Sequence, residues 1–302
     1  MDAVIVDRNF HLSRNYGVAS NGEFVQALID QFGFVLVSGQ KEYDRLKRRI
    51  RRLFITLEPL SQSVKIDSSL HERVGLWLSD PHDARWPEKF RSQHLIDDKG
   101  VGLIFCPYQD ATPSWIPGIE ERLVFFPWFV KNEWVIDKPI FYGHAYTHVM
   151  GSWSNMPEYA VRRWVANFPF VRRMSHQYTG HDYRRLVGMK YFDWLSRHHD
   201  SIVTGTGWKP AWGYVVAKCF EVPARGLLLI AQDMADMRAL GFEDGVNCLL
   251  FNRENFEAKT SKYLESPREY VDVRERGIEL VRERHLMSHR LELFHERMIE
   301  DA

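Results

Sequence analysis

The sequence predicts an α/β protein of two domains, each an open parallel sheet flanked by helices. Short continuous apolar runs such as Leu227–Ile230 and Cys248–Phe251 recur along the chain, as expected of strands covered on both faces. Amphipathic stretches separate such runs; in Gly22–Phe32 the side chains of Phe24, Val25, Leu28 and Ile29 share one helical face. The length of 302 residues matches two domains at roughly 150 residues each.

Composition narrows the classes. The chain is 45% hydrophobic and 26% charged, which suits a globular protein rather than a disordered one. Its apolar runs fall short of the roughly 20 residues a membrane span needs, so no transmembrane segment is expected. Met1–Val6 reads as a strand and not as a signal peptide, and Cys106, Cys219 and Cys248 read as buried thiols without ligand spacing. Together these point to the cytoplasm. The formal net charge is zero, so affinity for nucleic acid would have to come from a local patch.

In order, Ala3–Val6 reads as a strand, followed by a polar loop carrying His11, Arg14 and Asn15. The helix Gly22–Phe32 and the strand Phe34–Val37 complete a βαβ opening. The next helix carries Lys47-Arg48-Arg49 and Arg51-Arg52, a solvated face or a surface for an anionic partner. Leu53–Leu57, Val74–Leu78, Val101–Phe105 and Leu123–Phe126 read as strands. Asp80 and His82 follow the second of these, a carboxylate and an imidazole suited to taking a proton from a hydroxyl, or else to capping a turn. Further on, Pro139–Tyr142 reads as a strand ending in Gly143-His144, Pro157–Phe168 and Tyr183–Trp194 as helices, and Ser201–Thr204 as a strand. Trp208 and Trp212 lie in the loop that leads to Lys218.

The stretch from Lys218 to Phe251 is the most informative. It reads as a helix capped at Arg225-Gly226, a buried strand ending at Gln232-Asp233-Met234, a second helix, a turn at Glu243-Asp244-Gly245 and a second strand. Lys218 offers a compact positive charge with three donors, and Glu221 lies on the same helix face, where a carboxylate accepts well from vicinal hydroxyls. The alternative for this pair is a surface ion pair worth a few tenths of a kcal/mol. Asp233 would meet a ligand's hydroxyls or cap the following helix. The lack of a G-x-G-x-x-G after the first strand argues against an NAD-linked enzyme.

Lys218, Phe220, Glu221, Ala224 and Gly226, then Phe242-Glu243-Asp244-Gly245, then Ser266-Pro267-Arg268, Gly277, His285 and His289-Arg290 resemble the donor-binding region of group 1 glycosyltransferases. The resemblance extends to their shorter, CgeB-like branch and is strongest over residues 213–295. It implies the GT-B architecture: two Rossmann-like domains with parallel sheets facing a cleft. Residues 1–132 would bind the acceptor, 133–285 the nucleotide sugar, and 286–302 would form a terminal helix that packs back on the first domain. It further implies retaining, metal-independent transfer from a nucleotide-diphosphate sugar to a glycan or other hydroxyl, with no cofactor. Donor-binding candidates are Gly143, Lys218, Glu221, Gly226, Gln232, Asp233 and Met234, with Glu221 on the donor's ribose. Asp80, His82 and His144 are catalytic candidates, and His11, Arg14 and Asn15 lie on the acceptor side. Many relatives carry a second glutamate eight residues before Glu221; this chain has Gly213. The alternatives are a transferase acting on a modified base in DNA and a non-catalytic glycan- or nucleotide-binding module.

Overall fold

The computed structural model describes residues 1–6, 19–56, 64–78, 100–151, 155–175 and 189–300. The chain divides into two compact units, Met1–Pro127 with His289–Ala302, and Trp128–Ser288.

The first unit is built on six strands: β1 (Asp2–Ile5), β2 (Val35–Val37), β3 (Arg52–Ile55), β4 (Arg73–Trp77), β5 (Leu103–Cys106) and β6 (Leu123–Phe125). They lie in the order β2-β1-β3-β4-β5-β6, and every neighbouring pair is parallel. The apolar residues of β1 and β3 are fully buried, which accounts for their continuous apolar sequence. Helices α1 (Ala19–Phe32), α2 (Gln40–Leu46) and α3 (Thr112–Trp115) belong to this unit. The end of the chain completes its core. Phe294 packs ring to ring on Phe24, Phe54 and Phe105 at 5.7, 4.8 and 5.4 Å between centroids. A Cβ on Gly75 would lie 3.0 Å from the sulfur of Met298, so the terminal segment packs closely on the bare backbone of β4.

The second unit has five parallel strands: β7 (Thr147–Gly151), β8 (Val171–Ser175), β9 (Ser201–Thr204), β10 (Leu228–Gln232) and β11 (Leu249–Phe251), in the order β11-β10-β9-β7-β8. Its helices are α4 (Ala160–Val165), α5 (Met189–His198), α6 (Lys218–Ala224), α7 (Ala235–Ala239), α8 (Phe256–Glu265) and α9 (Val271–Arg284); α10 (Met287–His295) leads into the first unit. Arg225 closes α6, and Gly226 follows in the left-handed region at φ 64°. Among the described residues, no helix is long and apolar enough to cross a membrane.

Two strands of this unit differ from the sequence-based expectation. Pro139–Tyr142 forms no strand, and the first strand begins at Thr147. The amides of Tyr142 and His144 are taken by the Asp200 carboxylate at 2.8 and 2.9 Å, and Gly143 turns the chain at φ 75°, so no ladder can run through them. β7 escaped notice because its polar residues are buried in pairs: the Ser201 hydroxyl donates to Thr147 at 2.9 Å, and His148 meets His199 at 3.0 Å. β8 is an edge strand with exposed Arg172 and Arg173, so it lacks an apolar run.

Candidate functional site

Counted along the chain, the strands of the second unit lie in the order 5-4-3-1-2, so the order reverses between β7 and β9. At such a point the connections leave on opposite faces and open a crevice at the carboxyl ends of the strands. Here these ends are rich in glycine. β7 ends at Gly151, and β9 runs into Gly205-Thr206-Gly207. A Cβ on Gly205 would collide with Val161, and one on Gly207 with Trp212 and the Pro157 carbonyl. Both glycines therefore allow a close approach between the turn after β9 and the segment that leads into α4.

Arg162 of α4 lies across this point. It is 8% exposed, its Nε donates to the Gly205 carbonyl at 2.9 Å, and its guanidinium lies over the Tyr159 ring at 5.0 Å. A Cβ on Gly151 would come within 2.5 Å of its Nη1, so the guanidinium rests directly on the end of β7. No carboxylate among the described residues pairs with it. Burial separates it from its neighbour Arg163, which is only half-buried.

Lys218 opens α6. Its ammonium is held below the usual lysine range by burial first and by the Arg162 charge as well, with Glu221 acting in the opposite sense. Glu221 is 7% exposed, and the Tyr191 hydroxyl of α5 donates to its Oε2 at 2.9 Å. Burial raises the carboxyl of Glu221 above its ordinary value, opposed by Lys218 and by Tyr191. Glu221 is buried and Lys218 half-buried, so the pair is not a fully solvated one, and each charge acts on the other. Tyr191 carries no local signal in the sequence, since only the fold brings α5 against α6.

Gln232 ends β10 and holds the turn after β9. Its Oε1 accepts from the Thr206 amide at 3.0 Å, and its Nε2 donates to the Gly207 carbonyl at 2.8 Å. Asp233 takes both arms of Arg238, at 3.0 and 2.5 Å. It does not cap α7, whose N-cap is Met234 with no side-chain cap bond. Trp208 is wedged between Trp164, at 5.2 Å between centroids, and the Arg253 guanidinium, at 4.5 Å.

The structure thus brings Lys218, Glu221, Gln232, Asp233 and Met234 to one edge of the sheet, together with Arg162. It does not bring Gly143, His144 and Gly226 there. Gly143 and His144 precede β7 on the Asp200 carboxylate, and Gly226 precedes β10. A Cβ on Gly226 would lie 2.8 Å from Pro139 Cα, and its carbonyl accepts from buried Arg274 at 2.6 Å, so close packing explains this glycine. Asp80, His82, His11, Arg14 and Asn15 lie outside the described residues.

Two parallel α/β units, the second with buried Arg162 and half-buried Lys218 at its strand-order reversal, define the Rossmann-like class, in which ligands are bound at the carboxyl edge. A family model described as glycosyl transferase-like matches residues 143–296, and the chain belongs to that family. It is a glycosyltransferase of the GT-B fold. No curated protein matches it in sequence. Among solved structures it is similar to Anabaena Alr3699/HepE in complex with UDP and glucose, with 9% identity, 98% of each chain covered and a TM-score of 0.62. It is also similar to the T4 phage β-glucosyltransferase, with 10% identity, 98% of this chain and 99% of that one covered, and a TM-score of 0.60. A glycosyltransferase from Rickettsia africae shares 9% identity over the whole of both chains at a TM-score of 0.53.

Proposed function

We propose that this enzyme moves a sugar from a UDP-sugar to an acceptor hydroxyl without a metal ion. The observation that carries the reading is the pair of cations, buried Arg162 and half-buried Lys218, at the β7–β9 reversal. Two like charges brought together, with no carboxylate among the described residues pairing with Arg162, cost free energy that an anionic ligand would offset. A diphosphate supplies that anion. As the bond from the sugar's anomeric carbon to the diphosphate breaks, negative charge grows on the leaving oxygen, where Lys218 and Arg162 stabilise it. The acceptor oxygen bonds to the same carbon, and its proton passes to the departing diphosphate.

Glu221 accepts from the hydroxyls of the donor's ribose, while Gln232 fixes the turn at Thr206-Gly207 and Asp233 and Met234 line the rim. The choice of uridine is supported by the HepE structures, with UDP, glucose and UDP-glucose, and by a DNA-modifying β-glucosyltransferase whose substrate is uridine diphosphoglucose. Retention of the anomeric configuration and kinship with the CgeB-like branch follow the sequence resemblance. Asp80 and His82 are proposed on the acceptor side, as are His11, Arg14 and Asn15. A DNA acceptor is disfavoured by the charge pairing around the basic run. Lys47 pairs with Asp44 at 3.2 Å, Arg51 with Glu72 at 2.9 Å and buried Arg52 with Asp2 at 3.0 Å.

The test is a thermal-shift panel of UDP-, GDP-, ADP- and CMP-sugars, with and without a divalent metal. Stabilisation by UDP-sugars alone, about 2.7 kcal/mol at a hundredfold excess over Kd, is the expected outcome. Absence of any shift would sink the donor site, and a shift that needs metal would sink the metal-free mechanism.

A further inference from the structure

We propose that Tyr191 is a positioning residue for donor recognition, acting through Glu221. The inference rests on the reading of Glu221 as the acceptor for donor hydroxyls and deepens it.

Glu221 lies in the first turn of α6, where its side chain retains a rotatable stem inside the protein. Its charge is opposed by burial and favoured by Lys218 and Tyr191. Lys218 is the residue that a diphosphate would engage, so on donor binding part of its attraction is redirected to the phosphates. The Tyr191 hydroxyl is the hydrogen-bond donor to this carboxylate that the ligand does not claim. It occupies Oε2 at 2.9 Å and directs Oε1 to incoming hydroxyls.

The tyrosine is itself fixed. It is 3% exposed, and its ring packs on Phe192 and Trp194 at 5.2 and 6.3 Å between centroids. A phenol held this way donates along one direction only, so it sets the rotamer of the carboxylate as well as its ionisation. The ligand class that such a one-sided acceptor selects is a nucleoside diphosphate with an intact ribose diol, in preference to its deoxy analogue.

The experiment measures binding of UDP, GDP and ADP, and of the 2′-deoxy form of whichever binds, to the full chain, Tyr191→Phe, Glu221→Gln and the double variant. Each is titrated across the acid range. Tyr191→Phe keeps the ring and its packing, and Glu221→Gln keeps the side-chain shape. Loss of a hydrogen bond to a charged group predicts about a tenfold weaker affinity for the ribonucleotide in Tyr191→Phe. The penalty should shrink for the deoxy analogue, the acid limb of binding should move to higher pH, and Tyr191→Phe should cost nothing further in the Glu221→Gln background. Equal losses for ribo- and deoxynucleotides, an unmoved pH profile or additive effects in the double variant would each overturn the proposal. If the unaltered chain binds none of the three nucleotides, the donor site itself falls and this role falls with it.

Discussion

The Nε of Arg162 donates to the carbonyl of Gly205 across 2.9 Å, tying the helix after β7 to the turn after β9. That bond fixes the direction of the guanidinium. Arg162→Ala is expected to weaken UDP-sugar binding by about tenfold to a hundredfold, the range of a hydrogen bond to a charged group. Titration calorimetry on the folded variant reads it. Arg162→Lys should recover only part of the loss, because an ammonium cannot hold the Gly205 carbonyl and a phosphate in the same planar fork.

Lys218 links binding to pH. Burial and Arg162 lower its pKa in the free protein, and a bound diphosphate would raise it again. Donor binding should therefore take up a proton, with affinity falling as pH rises through the free protein's Lys218 pKa. Calorimetry in two buffers of different ionisation heat would show the uptake, and Lys218→Met should abolish it.

Gly207 is required by proximity and not by its backbone angle. An added Cβ meets Trp212 and the Pro157 backbone, neither of which can retreat without moving the turn that Gln232 holds. Gly207→Ala is expected to lower donor affinity and to lower the melting temperature by several degrees, at about 1–3 kcal/mol for overpacking.

The second unit should be sensitive to mild acid. His148 is held down to about 4, first by burial and then by the positive fields of His144 and Arg172. Its Nδ1 shares a hydrogen bond with Nδ1 of His199 at 3.0 Å, which needs one of the two nitrogens unprotonated. The unfolded chain takes up this proton near pH 6.5, so the stability due to neutral His148 is complete above that pH. It is lost as pH falls from 6.5 towards 4. Denaturant unfolding of the chain and of His148→Asn across that range would check it; the variant should show a shallower acid slope.

Phe294 ties the end of the chain to the first unit through Phe24, Phe54 and Phe105. Phe294→Ala should destabilise that unit by about 3–5 kcal/mol, the cost of emptying a buried aromatic site. Denaturant unfolding followed by the fluorescence of Trp77, which lies in that unit's core, would measure it.

The sequence by itself determined the parallel α/β class, because strands buried on both faces must be apolar throughout and helices must be apolar on one side. It also marked Lys218 and Glu221, three residues apart on one short helix, where local spacing already puts both side chains on one face. Only the tertiary structure decided the rest of the site. β7 hides its strand character behind Thr147 and His148, whose polarity is satisfied by partners on other segments. Arg162 is buried on the Gly205 carbonyl and Arg163 is not, and Tyr191 reaches Glu221 across thirty positions of sequence. Such pairings depend on which helices the sheet order brings together, and no local pattern of residues encodes that order.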